Sequence, residues 1–271
     1  MKFKKLFVTG ALGRIGSQVV PTLAKEIEVK PTDRFAGTIA LEGDKTLPVE
    51  PLNLADFAAL REAVRGCDAV LHLAIASERE FLKQYPGKPL RKTADMTPEE
   101  KDLFERAMLE TNVKGTYNVF EAALQAGVKR VLFMSSLTTV MGHPDPEVLT
   151  RPAENKPSNF YAVTKLFGEQ LGELYHRLYG LEVLSIRLGQ PYPIGSYHDE
   201  TYLSSPMRRL SNVHIEDIAH GISCCLKTDL DYGVFYLCSE ADAYTVDQTL
   251  WDRLGYRPKI RFTEHGMERN S

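Results

Sequence analysis

The sequence predicts an α/β protein with a doubly wound parallel sheet and a small C-terminal lobe. Apolar runs typical of buried strands alternate with helical patterns between residues 5 and 188. A glycine-rich loop follows the first strand, and small or polar residues end the later ones. Ligands bind such sheets at the carboxyl ends of the strands, so this pattern indicates a site at that edge.

The first strand, Leu6–Val8, leads into three glycines at three-residue spacing. Gly10 permits a tight turn, Gly13 lets backbone N–H groups approach a pyrophosphate, and Gly16 lets the next helix pack closely. That helix adds N–H donors and partial positive charge at its N-terminus. Its apolar face comprises Ile15, Val19, Val20 and Leu23. A glycine-rich turn without a ligand is the alternative, but the alternating chain favours the dinucleotide site of a Rossmann-type fold.

The second strand, Ile27–Arg34, contains an acid near its end. Asp33 lies about 20 residues beyond the glycine loop, where a carboxylate suits the ribose hydroxyls of NAD and repels a 2′-phosphate. Arg34 could instead accept the phosphate of NADP, and an ordinary loop Asp is a third interpretation. Pro31 fits poorly inside a strand, because it has no N–H to donate. The sequence therefore predicts NAD.

The middle of the chain continues the alternation. Leu52–Asp56 leads into a helix that ends near Arg65, and the strand Asp68–Ala76 follows. Its small C-terminal residues fit either a cofactor passing close by or plain packing. A polar excursion, Ser77–Thr97, then precedes one long predicted helix, Pro98–Ala126.

The strand Lys129–Ser136, a proline-rich loop, a helix starting near Asn159 and the strand Leu181–Leu188 complete the regular pattern. Beyond Gly189 we expect short elements near residues 212–214, 216–226, 234–238 and 246–254. We expect a single domain over residues 1–271, with segments at about 189–211 and 239–271 on the substrate side.

Tyr161 and Lys165 are four residues apart on a predicted helix and therefore share a face. A tyrosine has a pKa of about 10, and a nearby ammonium favours its phenolate, which makes it a usable general base. Lys165 can also hold the nicotinamide ribose. Ser136, at a strand end, is placed to bind the substrate oxygen, although a turn that caps the strand is the alternative for Ser135–Ser136.

These residues resemble the extended short-chain dehydrogenase/reductases of the NAD-dependent epimerase/dehydratase superfamily. The matching stretches, in chain order, are Thr9–Gly16, Asn112–Asn118, Ser135–Ser136, Tyr161–Lys165 and Val213–Ala219. The resemblance implies that Tyr161 is the acid/base, Lys165 its partner and Ser136 the ligand of the substrate oxygen. Asn112 would help through the helix backbone and a water, or would be a buried structural residue.

The resemblance also implies a set of cofactor-binding residues at the glycine loop, at the ends of the following strands and on the catalytic helix. They are Gly10, Gly13, Arg14, Ile15, Gly16, Asp33, Arg34, Asn53, Leu54, Leu73, Ala74, Ala76, Asn112, Tyr161 and Lys165.

Among reactions of this superfamily, the sequence favours oxidation of a small sugar or sugar acid. Leu137–Thr138 follows Ser136 where dehydratases carry an Asp-Glu pair, and the short C-terminal part favours a non-nucleotide substrate. The chain is similar to uronate dehydrogenases, which oxidise free hexuronic acids with NAD, at three segments: Leu73–Ser77, Arg187–Pro193 and Arg208–Ser211. Leu137 replaces their Asn, and Gln190 replaces their Ser.

That similarity implies Ser77, Ser136, Gln190 and Arg208 as substrate-binding residues, with Arg208 on the carboxylate. A solvated surface Arg, like its neighbour Arg209, is the other interpretation. A sugar or nucleotide-sugar epimerase and a non-catalytic NAD(P)-sensing regulator are the alternative functions. The presence of Tyr161, Lys165 and Ser136 favours an enzyme.

The composition is that of an ordinary soluble globular protein, with 43% hydrophobic and 25% charged residues and a net charge of -3. These values suggest no nucleic-acid or membrane partner, and with no apolar signal segment we expect a cytoplasmic protein.

The four cysteines are expected to be free buried thiols. They are Cys67, Cys224, Cys225 and Cys238. No His or Cys group has metal-ligand spacing, so no metal is expected.

We expect a homodimer, because members of the family commonly pair the two long helices, here 98–126 and 159–179, into a four-helix interface. The residues that would supply apolar contacts, or would instead face the sheet, are Phe104, Met108, Tyr117, Phe120 and Leu124.

Overall fold

The computed structural model of the protein describes residues 2–76, 96–143, 149, 152–192, 211–242 and 246–270. Its strands are β1 (Lys5–Thr9), β2 (Glu28–Asp33), β3 (Gly37–Ala40), β4 (Thr46–Pro51), β5 (Ala69–His72), β6 (Arg130–Ser136), β7 (Glu182–Leu188), β8 (Gln190–Tyr192), β9 (Asn212–His214), β10 (Tyr232–Leu237), β11 (Glu240–Ala241), β12 (Ile260–Thr263) and β13 (Gly266–Arg269). Its helices are α1 (Gly16–Leu23), α2 (Phe57–Val64), α3 (Pro98–Met108), α4 (Thr116–Gln125), α5 (Phe160–Tyr179), α6 (Ile215–Lys227) and α7 (Trp251–Leu254).

The main sheet has the strand order β10-β7-β6-β5-β1-β2-β4-β3. Neighbouring strands are parallel except at the edge, where β3 and β4 pair antiparallel. The chain winds outward in both directions from β1, so the order reverses between β1 and β5. The predicted doubly wound α/β fold is confirmed, and the crevice at this reversal is where such folds bind ligands.

Both faces of the sheet are covered, as the near-continuous apolar strands require. Alternate residues of one strand point to opposite faces, so Leu132 lies in the core beneath α1 and α6, whereas Phe133 lies beneath α2, α4 and α5. α5 lies close on β6 because it has glycines there. A Cβ on Gly168 would lie 2.1 Å from the Phe133 ring.

The β3–β4 hairpin was not expected from the sequence. Only Ile39 and Val49 of its residues are buried, so the apolar alternation that signals a strand is almost missing. Pro31 lies inside β2 after all. β4 pairs with β2 only at Thr32 and Asp33, so no ladder bond to β4 is lost at the proline.

The predicted long helix consists of α3, a π-helical segment (Leu109–Gly115) and α4. Thr97 caps its start: the Thr97 hydroxyl accepts from Glu100 N, and the Glu100 carboxylate accepts from Thr97 N. The side chains of Met108 and Phe120 face the core, with 1% and 0% exposure, so these two residues do not supply a dimer contact. Tyr117, in contrast, is 46% exposed.

Two small sheets, β8–β9 and β11–β12–β13, accompany the main sheet. Asp217 of α6 is fully buried and joins them to it: Oδ1 accepts from Lys259 N, and Oδ2 accepts from Ser239 Oγ. The motif around Asp217 therefore anchors the C-terminal segment.

Two predicted elements are shorter in the structure. The strand predicted to extend to Ala76 ends earlier, at His72, and of the element expected at 246–254 only α7 is regular.

Candidate active site

The glycine loop makes the close approaches that its residue types predict. Gly10 has φ +71°, and a Cβ there would lie 2.7 Å from the backbone N and Cα of Ala74. A Cβ on Gly16 would lie 2.4 Å from Gly10 O, and one on Gly13 would lie 3.0 Å from the same oxygen. These contacts keep the loop narrow and its backbone accessible, which is the form of a pyrophosphate cradle at a helix N-terminus.

Asp33 ends β2 and bonds to the glycine loop. Its Oδ2 accepts from Leu12 N at 2.9 Å, and its Oδ1 accepts from Arg34 N at 2.7 Å. The Arg34 guanidinium lies 5.7 Å from the exposed ring of Phe35. A half-buried carboxylate that is fixed beside the loop fits the ribose hydroxyls of NAD, because hydroxyls donate to it and a phosphate is repelled.

A buried histidine supports the next strand end. His72 Nδ1 lies 2.7 Å from Thr9 Oγ1, and His72 Nε2 lies 3.0 Å from Thr116 Oγ1. Thr9 Oγ1 also accepts from Ala74 N at 3.3 Å. Burial, with the nearby Lys165, lowers the pKa of His72 to about 3, so this ring is neutral at physiological pH. The sequence did not single out His72, since nothing in its local pattern separates it from an ordinary strand residue.

The loop after β4 carries two further residues of the expected cofactor set. The exposed side chain of Asn53 accepts from Ala55 N at 3.0 Å. Leu54 is buried, and its carbonyl accepts from Asn118 Nδ2 at 2.7 Å. A Cβ on Gly115 would lie 3.2 Å from Leu54, so the loop packs directly on the π-helical segment.

The predicted catalytic pair lies at the start of α5, where Asn159 Oδ1 caps the helix by accepting from Ala162 N. Lys165 Nζ is 5.6 Å from the centre of the Tyr161 ring and donates to Met134 O at 2.8 Å. Burial lowers the pKa of Lys165 to about 7, and the Glu169 carboxylate opposes this by raising it. A cation with a pKa this close to neutral can exchange its proton at physiological pH.

Ser136 is the last residue of β6, two residues beyond the carbonyl that binds Lys165. Its Oγ accepts from Thr138 Oγ1 at 2.9 Å and from Thr138 N at 3.3 Å, and it begins a short 3₁₀ turn, Leu137–Thr139. Strand β6 thus brings Ser136 and the support of Lys165 to one edge. The hydroxyl also performs the capping role that the sequence left open.

Asn112 lies in the π-helical segment, with 2% exposure. Its Oδ1 accepts from Ala76 N at 2.8 Å, and its Nδ2 lies 3.2 Å from Thr164 Oγ1, which donates to Tyr161 O. The Asn112 side chain therefore connects the exit of β5 to the helix that carries Tyr161. These contacts fit the structural interpretation, and the role through the helix backbone and a water stays a prediction.

Strand β8 lies in the segment expected on the substrate side, and β9 follows directly after that segment. Gln190 is half-buried in β8 and pairs with Asn212 of β9. Asn212 is fully buried, and within the described ranges its side-chain amide has no hydrogen-bond partner. Ser77 and Arg208 lie outside the described residues. Arg187, from a segment similar to the carboxylate-binding region, is already bonded to Glu169.

Among the residues that the structure describes, no three His, Cys, Asp or Glu side chains are grouped to hold a metal ion. In the same ranges, no helix has the length and apolar character that crossing a membrane requires.

Comparisons with known proteins agree with this geometry. The model of the NAD dependent epimerase/dehydratase family matches residues 6–99 and 97–235. The uronate dehydrogenase of Pseudomonas syringae pv. tomato is 27% identical over 261 residues, covering 95% of this chain and 82% of that protein. The L-arabinose 1-dehydrogenase (NAD(P)(+)) of Haloferax volcanii is 33% identical over 197 residues, covering 68% and 66% respectively.

A solved structure agrees as well. The crystal structure of uronate dehydrogenase from Agrobacterium tumefaciens has a TM-score of 0.72 and 28% identity, covering 96% of this chain and 86% of that one. The fold and the superfamily resemblance that the sequence predicted are confirmed.

Proposed function

The chain belongs to the NAD dependent epimerase/dehydratase family, and we propose that this NAD-dependent oxidoreductase oxidises a CH–OH group of a small sugar or sugar acid. The observation that carries the proposal is the buried Lys165 beside Tyr161, bound to the strand that ends at Ser136. The glycine loop and Asp33 lie at the same edge of the sheet and fit a dinucleotide. A binding protein that only senses the cofactor has no need of this pair.

In the proposed reaction, NAD supplies the hydride acceptor when it is bound. Ser136 donates a hydrogen bond to the substrate oxygen and fixes its position. Tyr161, as phenolate, takes the hydroxyl proton, and Lys165 in its ammonium form favours that phenolate electrostatically. The burial of Lys165 strengthens this interaction, because charges act more strongly where water is excluded.

We further propose that the substrate is a sugar acid whose carboxylate binds Arg208. An arginine stays charged and offers paired donors that match a carboxylate. The similarity to uronate dehydrogenases supports this, as does the bond between Arg187 and Glu169, which leaves Arg187 less suited to the role.

We propose a homodimer formed through α3, α4 and α5. Exposed apolar side chains follow the outer faces of these helices, and a second copy would cover them. They are Leu103, Tyr117, Val163, Leu174 and Leu178. Sedimentation at micromolar concentration tests this, and a monomer there contradicts it.

Reduction of NAD by a panel of sugars tests the proposed function. The panel comprises glucuronate, galacturonate, L-arabinose, glucose and glucose 6-phosphate. We expect NADH with the two uronates at rates well above those with glucose. Interconversion of sugars without net NADH would favour an epimerase, and NAD binding without any turnover would favour a regulator.

A further inference from the structure

A second buried charge lies one helical turn beyond Lys165. Glu169 is four residues further along α5, so the two side chains share a face, and their exposures are 3% for Lys165 and 2% for Glu169. Arg187 of β7 binds this carboxylate through two contacts, Nε to Oε1 at 2.9 Å and Nη2 to Oε2 at 2.7 Å. Such bidentate pairs are strong and fix the carboxylate in one orientation.

The remaining contacts of the pair reach the elements around the proposed active site. Ser135, next to Ser136 and beside Arg187 in the register of β6 and β7, donates from Oγ to Glu169 Oε1 at 2.5 Å. Arg187 Nη2 also donates to Asn155 Oδ1, in the loop before α5. The carboxylate is therefore held from two strands, and the loop holds the arginine that binds it, which is more than packing of one helix requires.

The charged and titratable groups around Lys165 come from several elements. Tyr161 and Glu169 on α5 and His72 on β5 interact with Lys165 directly. Arg187 on β7 binds Glu169, and Tyr236 on β10 lies beside Arg187. His72 is neutral, because burial holds its pKa at about 3. Glu169 is the anion of this set that acts against the effect of burial on Lys165.

We propose that Glu169 is a positioning residue of the active site, whose carboxylate keeps Lys165 in the ammonium form that assists Tyr161. Arg187 and Ser135 hold that carboxylate in place. The inference rests on the proposed function of Lys165, but it concerns a property of the protein that is measurable without substrate. It assigns a reaction-related role to a pair that would otherwise serve only stability.

The test is a titration of Lys165 in the NAD-bound protein. Lysine labelled with ¹³C at Cε is incorporated, since its chemical shift follows the ionisation of the amine, and Lys165→Met assigns the resonance. In Glu169→Gln the shape is kept and the anion is lost, so the ammonium form is less favoured. We expect the Lys165 midpoint to move at least about one pH unit lower, as for loss of a nearby opposite charge.

Glu173→Gln is the matched control: it is the same substitution one turn further along α5, at an exposed position. We expect it to leave the Lys165 midpoint unchanged. A Glu169→Gln protein that is folded and titrates like wild type would overturn the inference, because a carboxylate that merely braces the helix has no effect on the midpoint. Failure of every sugar to reduce NAD would instead count against the proposed function.

Glu169→Gln leaves Arg187 buried without its partner, which can prevent folding. The double variant Glu169→Gln/Arg187→Gln removes both charges and avoids this. Comparison with Arg187→Gln isolates the anion, because both proteins lack the cation: the inference expects a lower Lys165 midpoint in the double variant than in Arg187→Gln. Equal midpoints in these two folded proteins would overturn it.

Discussion

Two buried arginines lie at opposite ends of the strands of the main sheet and have different roles. Arg130 begins β6 at the amino edge, where the parallel strands start. Its guanidinium contacts Glu182 and donates to the carbonyls of Cys225, Thr228 and Leu230. Arg187, near the carboxyl end of β7, contacts Glu169 and Asn155.

The difference between them lies in their surroundings. The partners of Arg130 are mainly main-chain oxygens at the end of α6, so this arginine joins a helix to the sheet. Arg187 binds Glu169, the carboxylate one helical turn from Lys165. The same kind of ion pair, Arg with Glu, is thus structural at the amino edge and, we infer, part of the reaction at the carboxyl edge. Variants at the two edges should separate loss of stability from loss of activity.

The largest effect is expected at the carboxyl edge. Tyr161→Phe removes only the oxygen that transfers the proton, so kcat should fall about 10²–10⁴-fold. NAD affinity and Tm should stay close to wild type. Turnover and NAD titration check this together. A variant within a few-fold of wild-type turnover would contradict the assignment of Tyr161.

The next effect is expected at the amino edge. Arg130→Met removes the buried cation that binds Glu182 and three carbonyls, and should lower the free energy of unfolding by about 3–5 kcal/mol. The turnover of the folded fraction should not change. Urea unfolding measures the loss. Lys2→Ala is the control, because it removes an exposed partner of the same Glu182 and should cost at most about 1 kcal/mol.

A third effect is expected on substrate binding, at Arg208. If it binds a carboxylate, Arg208→Ala should lower kcat/KM for uronates by a factor that corresponds to about 2–4 kcal/mol of lost transition-state stabilisation. NAD affinity should stay unchanged. Arg209→Ala, the neighbouring arginine, should do much less. If both variants oxidise the best substrate as well as wild type, a neutral sugar or polyol becomes the better substrate hypothesis.

The smallest effect concerns cofactor choice. The wild-type protein should bind NAD more tightly than NADP, and Asp33→Ala should weaken NAD binding by about 1.5–3 kcal/mol, the usual value of hydrogen bonds to a charged group. Titration of both cofactors provides the measurement. Equal or tighter binding of NADP to the wild type would show that Arg34 governs the preference.

Features that depend on local chemistry were predictable from the sequence. The turn at Gly10, the acid at the end of β2 and the pairing of Tyr161 with Lys165 each follow from residue types at fixed spacing. The helix ends also carry recognisable caps, at Thr97 and Asn159. These features place the predicted cofactor and catalytic residues at one edge of the sheet.

Features that depend on distant contacts were not. Glu169 meets Arg187 across 18 residues, and neither residue has a local signal beyond the i, i+4 spacing of Glu169 from Lys165. Met108 and Phe120 were open to two interpretations because the rotation of a helix against the sheet is not encoded in its apolar pattern alone. The β3–β4 hairpin was missed because an exposed edge needs few apolar residues.

The π-helical segment at Leu109–Gly115 has a consequence for deletions in this part of the chain. A turn that holds extra residues shifts the phase of everything after it, by about 100° for each residue in a helix of 3.6 residues per turn. The segment lets Met108 and Phe120 both point inward while Asn112 also reaches Ala76 and Thr164. Deleting one residue here would therefore rotate α4 by about 100° relative to α3. That rotation would turn Phe120 away from the core.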